Sequence, residues 1–203
     1  MASARAITLA PLAAAHLPAV AQIQAAIYPA IFHEDAALIG ARAEAYPAGH
    51  LVATLAGSDA IVAYASAYPW PLAAALAAPP SLGALDVAQI RAADASPAGL
   101  GTALFLHEVS VHAQGVGVGA ALMGALLAHA EARGFATALL VSVLGNEAYY
   151  ERFGFEAVRE LPPYGMQEPA PAPGVGERLP PTPSHFSVEA RATLMRLALP
   201  RRK

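Results

Sequence analysis

The chain has 203 residues, of which 56% are hydrophobic and 13% are charged, and its formal net charge at pH 7 is −3. This length suits one domain with a sizeable core, and the composition excludes a mostly disordered chain. The only basic run is the terminal Arg-Arg-Lys, so nucleic acid is not expected as a partner.

Membrane, export and metal signals are also missing from the sequence. No apolar run reaches the roughly 20 residues of a membrane-spanning helix. Pro11, His16 and Pro18 interrupt the segment that would form the apolar part of a secretory signal. The absence of cysteine excludes disulfides, and the seven histidines show no metal-ligand spacing. We therefore expect a cytoplasmic protein without a membrane partner or a metal.

The first part of the sequence predicts a strand and two helices. Residues 7–12 form the predicted strand, and the first helix begins near His16 and ends before Pro29. The second helix is predicted to hold Glu34 and Asp35 in its first turn, where acidic side chains interact favourably with the helix dipole.

A β-hairpin is predicted next, followed by an insertion. The two strands at 50–55 and 60–70 are separated by Gly57, Ser58 and Asp59, which are turn-forming residues. The stretch 69–101 contains five prolines and no clear period. We interpret it as an insertion that covers a site.

The second half of the sequence alternates strands with helices. A long helix ends near Arg133 with Gly134 as its C-cap, and a short helix begins with Asn146 as its N-cap. Residues 161–187 are rich in proline and predict an irregular excursion. The predicted strands lie at 102–111, 136–144, 154–160 and 190–199. This order predicts a single α/β domain, 1–203, with a mixed central sheet and helices on both faces.

Three glycines, Gly115, Gly117 and Gly119, separate the strand 102–111 from the long helix. The N–H groups in the first turn of a helix have no partner inside the helix, and the helix dipole attracts negative charge there. Glycines at this point also let a phosphate approach the backbone. The pattern favours an anion site, although a chain rich in alanine and glycine also produces such spacings by chance.

One candidate for this anion site is a dinucleotide. Gly115, Gly117 and Ala120 match the G-x-G-x-x-G/A motif of Rossmann units. That motif follows its strand at once and needs an acidic residue at the end of the next strand. Here the residues from His112 to Gln114 intervene, the next strand ends without an acid, and the later chain is rich in proline. A Rossmann site is therefore the weaker interpretation.

The stronger interpretation uses Gln114. The pattern Q-x-x-G-x-G/A, formed by Gln114, Gly117 and Gly119, follows a strand and opens a long helix. Further on, the segment LGNEAYYERFGFEAV places Tyr150 four residues before Gly154. The two segments together resemble two motifs of the GNAT superfamily of N-acetyltransferases, the first of which binds acetyl-CoA.

The resemblance implies a GNAT-type single domain that binds acetyl-CoA as a co-substrate where the sheet splays after the fourth strand. It also implies that N–H groups of the glycine loop bind the pyrophosphate, and that the preceding strand end pairs with the pantetheine arm. The cofactor-binding residues implied in this way are Val109, Ser110, Val111, Gln114, Gly115, Val116, Gly117, Val118, Gly119, Ala120 and Asn146.

The reaction implied by the resemblance is direct attack of an amine on the thioester in a ternary complex. Tyr150 is the implied general acid for the departing thiolate, and its neighbour Tyr149 is expected to pack in the core. Glu108 is a carboxylate on an otherwise apolar strand and is the candidate base, with a structural ion pair as the alternative. His107 is expected on the opposite face, because side chains alternate along a strand.

The expected partners are a small-molecule amine or amino-group substrate and, in a homodimer, a second copy of the chain. The alternative function is a non-catalytic acyl-CoA-binding sensor of the same fold. No motif in the sequence identifies the acceptor.

Overall fold

The computed structural model describes residues 6–80, 87–95, 101–112, 115–161 and 192–200, without the side chain of Ile31. The strands in this part of the chain are Ile7–Pro11 (β1), His50–Leu55 (β2), Ile61–Pro71 (β3), Thr102–Val111 (β4), Thr137–Val143 (β5), Glu156–Leu161 (β6) and Ala192–Ala198 (β7). The helices are Leu17–Ile27 (α1), Ala36–Ala45 (α2), Leu72–Ala77 (α3), Val87–Ala95 (α4), Val118–Ala132 (α5) and Glu147–Glu151 (α6).

The strands form one mixed sheet in the order β1-β2-β3-β4-β5-β7-β6. β4 and β5 run parallel, and every other neighbouring pair is antiparallel. The predicted mixed sheet is confirmed. The mostly antiparallel pairing excludes the doubly wound parallel sheet of a Rossmann unit.

Helices cover both faces of the sheet. Side chains alternate between the faces along a strand, and Val52 and Tyr64 pack in a buried cluster with residues of α1 and α2. Their neighbours Ala53, Ala63 and Ala65 belong to the main core, together with buried residues of α5. The predicted arrangement of helices on both faces is therefore confirmed.

The α1 helix ends where the sequence predicts. It buries Val20, Ile23 and Gln24, whose spacing places them on one face of the helix. The backbone becomes extended at Tyr28, the residue before Pro29, because a proline disfavours the helical conformation in the residue that precedes it.

The start of α2 differs from the prediction. Asp35 is the N-cap, with an extended backbone, and its side chain accepts a hydrogen bond from the Ala37 N–H at 2.7 Å. Glu34 therefore lies before the helix and not in its first turn. Its side chain instead forms an ion pair with Arg42 and lies 2.9 Å from His107 Nε2. These contacts outweigh the weak attraction of the helix dipole.

Residues 69–101 contain more regular structure than their sequence indicated. The stretch begins with the last residues of β3 and continues with α3 and α4. Arg159 of β6 donates hydrogen bonds to the carbonyls of Leu76 and Ala77 at 3.2 and 2.8 Å, and so satisfies the C-terminal end of α3. Residues 81–86, 96–100 and 162–187 lie outside the described residues. None of the described helices is long and apolar enough to cross a membrane.

A β-bulge interrupts β4 at His107. Ser66 of β3 is opposite Glu108 and Ala67 is opposite Leu106, so His107 is an extra residue in the ladder between these two fully described strands. The bulge breaks the alternation of side chains, and His107 and Glu108 line the same cavity. The expectation that they point to opposite faces is wrong for this reason.

Candidate active site

The parallel strands β4 and β5 diverge and leave a cleft in the sheet. Their pairing ends with Leu106 opposite Leu140. Beyond this pair, β4 continues to Val111 and β5 continues to Val143. We call the gap between these two strand ends the β4–β5 cleft.

The backbone of β4 offers hydrogen-bonding groups to this cleft. The His112 N–H donates to the Val62 carbonyl of β3 at 2.9 Å. Peptide groups alternate in direction along an antiparallel ladder, so those of Val109 and Val111 point away from β3, toward the cleft. An extended ligand could pair with them as an added strand does.

The first N–H groups of α5 have no acceptor inside the helix. The first hydrogen bond within the helix joins the Ala121 N–H to the Gly117 carbonyl at 3.0 Å, so residues 117–120 have no acceptor inside the helix. Gly117 is the N-cap with a φ of 82°, and no side-chain bond caps this end. A Cβ atom at Gly115 or Gly117 would meet nothing within 4 Å. Backbone N–H donors beside open space suit a phosphate. The predicted cofactor residue Gln114 lies outside the described residues.

Gly119 has a different role from the two preceding glycines. A Cβ atom there would lie 2.6 Å from the Tyr149 hydroxyl oxygen and 3.2 Å from a methyl group of Val111. The missing side chain therefore makes room for Tyr149, which also packs against the main core as expected. Its hydroxyl lies between the end of β4 and the first turn of α5.

A cavity of about 50 Å³ lies at the β4–β5 cleft, on the side of α1. This volume is enough for one or two water molecules or for a small chemical group. The lining residues are Tyr28, Phe32, Phe105, His107, Glu108, Val141 and Val143. The wall is thus aromatic and aliphatic apart from the hydroxyl of Tyr28 and the side chains of His107 and Glu108.

Side chains of α1 and β4 donate hydrogen bonds to the Glu108 carboxylate. Gln24 Nε2 donates to Oε2 at 3.1 Å, and Ser110 Oγ donates to Oε1 at 2.6 Å. Burial raises the pKa of Glu108, and the hydrogen bond from Ser110 opposes this shift. A carboxylate with a raised pKa is a better proton acceptor than an exposed one.

Tyr28 extends this network. Its hydroxyl oxygen lies 3.2 Å from Ser110 Oγ. A serine hydroxyl has one proton, and Ser110 gives it to Glu108 over the shorter distance, so Tyr28 is the donor to Ser110. Burial and the nearby charge of Glu108 raise the pKa of Tyr28. A continuous chain of hydrogen bonds therefore runs from Tyr28 through Ser110 to Glu108.

Glu34 ties the connection between α1 and α2 to β4. Its carboxylate lies 2.7 Å from Arg42 Nη1 and 2.9 Å from His107 Nε2, and its N–H donates to Gln24 Oε1 at 3.1 Å. Burial acts to raise the pKa of Glu34, but His107 and Arg42 outweigh burial and lower it to about 2. These partners occupy Glu34, and Glu108 is the carboxylate that lines the cavity.

Tyr150 is half-buried near the same carboxylate. Its ring packs edge-on against Tyr149 and Phe155, with centroids 5.2 and 6.4 Å apart. Burial, followed by the proximity of Tyr149 and Glu108, raises the pKa of Tyr150 to about 12. The phenol therefore keeps its proton at neutral pH.

Asn146 is at the N-cap position of α6 but does not cap the helix with its side chain. Its backbone has φ −89° and ψ 11°, outside the extended region that a capping side chain needs. The side-chain amide instead donates to the Val143 carbonyl at 3.0 Å, at the end of β5. The expected side-chain cap is wrong, and the bond places Asn146 at the mouth of the β4–β5 cleft.

A sequence model described as the Acetyltransferase (GNAT) family matches residues 17–155. The chain belongs to this family. The predicted family and the predicted enzyme class, an acetyltransferase, are therefore confirmed. Comparison with curated protein sequences gives no significant match.

Solved structures share the GNAT fold across nearly the whole chain. The loading GNATL domain of CurA from Lyngbya majuscula has a TM-score of 0.68 at 14% identity, covering 95% of this chain and 98% of that one. Arabidopsis thaliana Naa50, in complex with the bisubstrate analogue CoA-Ac-MVNAL, has a TM-score of 0.62 at 14% identity, with coverage of 95% and 99%. The ribosomal-protein-S18-alanine N-acetyltransferase from Escherichia coli has a TM-score of 0.58 at 19% identity, with coverage of 98% and 97%.

Several site residues of this GNAT acetyltransferase were not identified from its sequence. Gln24 is a polar residue on the buried stripe of α1, and this position was a usable signal. Tyr28 gave no signal, because an aromatic residue before a proline is typical of a helix end. Among the described residues, no three metal-ligating side chains come together as a metal site.

Proposed function

We propose that this GNAT acetyltransferase transfers an acetyl group from acetyl-CoA to a primary amine by direct attack in a ternary complex. The observation that carries the proposal is the position of Glu108. This buried carboxylate lines the cavity at the point where β4 and β5 diverge. One cleft thus joins a proton acceptor to the free N-terminus of α5.

The described residues fit acetyl-CoA as the co-substrate. The N–H groups of residues 117–120 and the open space beside Gly115 and Gly117 suit a pyrophosphate. The cleft-facing peptide groups of Val109 and Val111 suit the amides of the pantetheine arm. Val116, Val118 and Ala120 are proposed to contribute backbone only. Gln114 and Asn146 remain predicted cofactor-binding residues.

Glu108 is proposed to act as the general base. An alkyl amine with a pKa near that of lysine, about 10.4, is protonated at pH 7 and must lose a proton before it attacks. The raised pKa of Glu108 brings its basicity closer to that of the amine, and the chain through Ser110 and Tyr28 gives the proton an exit.

Tyr150 is proposed to act as the general acid. The attack forms a C–N bond and breaks the C–S bond, so the leaving thiolate needs a proton. The ammonium substrate loses two protons in forming the amide. One leaves through Glu108, and the other replaces the proton that Tyr150 gives to sulfur. Since the pKa of Tyr150 is about 12, the donor stays protonated throughout the neutral range.

A free-thiol assay tests this function. The protein would be mixed with acetyl-CoA and a panel of amines, polyamines, amino acids and aminoglycosides, and we expect thiol release with at least one acceptor. Tyr150→Phe keeps the ring and should lower kcat by roughly 10²-fold, because a general acid contributes about 10²–10⁴-fold and water replaces part of it. Its affinity for acetyl-CoA should be nearly unchanged in calorimetry.

The outcomes separate the two classes of function. Acetyl-CoA binding without thiol release for any acceptor would favour the acyl-CoA-binding sensor. A fully active Tyr150→Phe variant would show that Tyr150 only packs against its neighbours.

A further inference from the structure

Within the described part of the chain, the hydroxyl of Tyr149 is a buried donor that lacks a hydrogen-bond partner. Its oxygen is inaccessible to solvent and has no hydrogen bond within the described part of the chain. The ring itself is well packed, with the centroids of Tyr150 and Phe153 at 5.2 and 5.3 Å. A phenylalanine would make the same ring contacts, so packing does not explain the hydroxyl. A buried polar group without a partner destabilises the free protein.

The fold makes specific room for this hydroxyl. It occupies the space that a side chain at Gly119 would fill, because a Cβ there would be 2.6 Å from the oxygen. A methyl group of Val111, the last residue of β4, borders the same space. The hydroxyl therefore lies where the end of β4 meets the free N–H groups of α5, at one end of the β4–β5 cleft.

We propose that Tyr149 donates a hydrogen bond to an acceptor oxygen of bound acetyl-CoA, at the junction of the pantetheine arm and the pyrophosphate. This inference rests on the proposed function, because it requires the cofactor in the β4–β5 cleft. Burial raises the pKa of Tyr149, so the hydroxyl is protonated and acts as a donor at neutral pH. Tyr149 thus binds the cofactor, whereas Tyr150 acts on the leaving group.

The test compares Tyr149→Phe with the natural protein in calorimetry and in thermal unfolding. We expect the Kd for CoA to rise roughly tenfold, equivalent to about 1.4 kcal/mol. The Tm of the free protein should stay the same or rise, because the variant loses an unpaired buried donor. In the thiol assay, the KM for acetyl-CoA should rise while kcat at saturation is unchanged.

Two fragments of the cofactor locate the acceptor oxygen. S-acetylpantetheine lacks the pyrophosphate, and 3′-phosphoadenosine 5′-diphosphate lacks the pantetheine arm. If the variant loses affinity for the first fragment only, the acceptor is an amide or hydroxyl oxygen of the arm. If it loses affinity for the second only, the acceptor is a phosphate oxygen.

Tyr46→Phe is the matched control. The Tyr46 hydroxyl lies 2.7 Å from His129 Nε2 in the last turns of α5, far from the N-terminus of that helix. Its removal breaks a hydrogen bond that exists in the free protein. We therefore expect a lower Tm and an unchanged Kd for CoA, the reverse of the result for Tyr149→Phe.

A natural protein that binds no CoA would overturn the proposed function itself. If the natural protein binds CoA and Tyr149→Phe binds it equally well, only the role of Tyr149 is wrong. A weaker affinity together with a clearly lower Tm would also overturn it, since the hydroxyl would then support the fold. Weaker binding at an unchanged or higher Tm supports the proposal.

Discussion

Ser110 connects the candidate base to its surroundings. Its hydroxyl donates to Glu108 and accepts from Tyr28, at 2.6 and 3.2 Å. Burial raises the pKa of Glu108, and the bond from Ser110 limits that rise. The side chain of Ser110 therefore tunes the base. Its peptide groups lie in the alternate set that points to β3 and not to the cleft, and the cofactor role expected of Ser110 from the sequence stays a prediction.

Ser110→Ala should move the acid limb of the kcat/KM profile to higher pH. Without the hydroxyl, the charged form of Glu108 loses a donor, so its pKa rises further and a larger fraction is protonated at a given pH. Activity at pH 6 should therefore fall more than activity at pH 8, as measured by thiol release across this range.

Two further variants serve as the direct test of Glu108 and as a control for the loss of a buried hydroxyl. Glu108→Gln should lower kcat/KM by roughly 10²-fold and remove the acid limb. Ser142→Ala removes a buried hydroxyl on β5 that has no hydrogen bond within the described residues and should leave the profile in place. An unmoved limb in Ser110→Ala would mean that another group sets it.

The sequence identified Glu108 but not the residues that hold it. A carboxylate in an apolar strand can be recognised from the sequence alone. Its contact with Gln24, in contrast, joins residues 84 positions apart, and the contact of Ser110 with Tyr28 joins residues 82 positions apart. Such contacts depend on how α1 packs on the sheet. Local sequence patterns do not contain this information.

At the scale of the elements, the N-terminus of α5 has a backbone conformation that favours glycine. Gly117 has a φ of 82° at the N-cap, in the left-handed region that favours glycine. Gly124 lies in the middle of the same helix, and a Cβ atom there would also meet nothing within 4 Å. The two glycines therefore differ in backbone conformation and not in the space around them.

This difference predicts opposite effects for one substitution. Gly117→Ala should destabilise the protein by about 1–2 kcal/mol and weaken acetyl-CoA binding, because relief of the strain moves the N–H groups of the first turn. Gly124→Ala should stabilise it by up to about 1 kcal/mol with unchanged binding. Urea unfolding and calorimetry measure both effects. Equal acetyl-CoA affinities in the two variants would show that the cofactor does not bind at this end of the helix.

Elements with strong local signals were predicted well, and those with weak ones were not. All seven strands and the helices α1, α2, α5 and α6 follow from apolar periodicity and from turn and cap residues. The short helices α3 and α4 lack a clear apolar stripe and are stabilised by packing, for example by Arg159 at the end of α3. The bulge at His107 has no signal in the sequence, since only the pairing with β3 defines it.

At the scale of the whole molecule, His50 links stability to pH. It is fully buried, with Nδ1 donating to the Tyr46 carbonyl and Nε2 accepting from Ser66, both at 3.0 Å. Burial lowers the pKa of His50 from 6.5 to about 4. Between these values the unfolded chain binds a proton that the folded protein does not, so stability falls as the pH falls from 6.5 to 4.

His50→Gln should flatten this part of the stability curve. The histidine contributes up to about 3 kcal/mol of pH-dependent stability, at about 1.4 kcal/mol per pKa unit. The variant should be less stable than the natural protein at pH 7, but its free energy of unfolding should fall less on acidification. Urea midpoints between pH 7 and pH 4 measure the slopes. His112→Gln, at an exposed position, should keep the natural slope, and an unchanged slope in His50→Gln would assign the loss to other groups.

The bulge in β4 also allows the strand to carry one more side chain on a single face. Leu106 before His107 and Val109 after it both pack on the main core, and Glu108 between them contacts Gln24 of α1. The alternation would therefore be regular if His107 were left out. His107 is thus one residue more than a regular strand needs. This extra residue adds a side chain to the face that lines the cavity without displacing a core residue. A strand without His107 would lack the contact with Glu34 but would still direct Glu108 to α1.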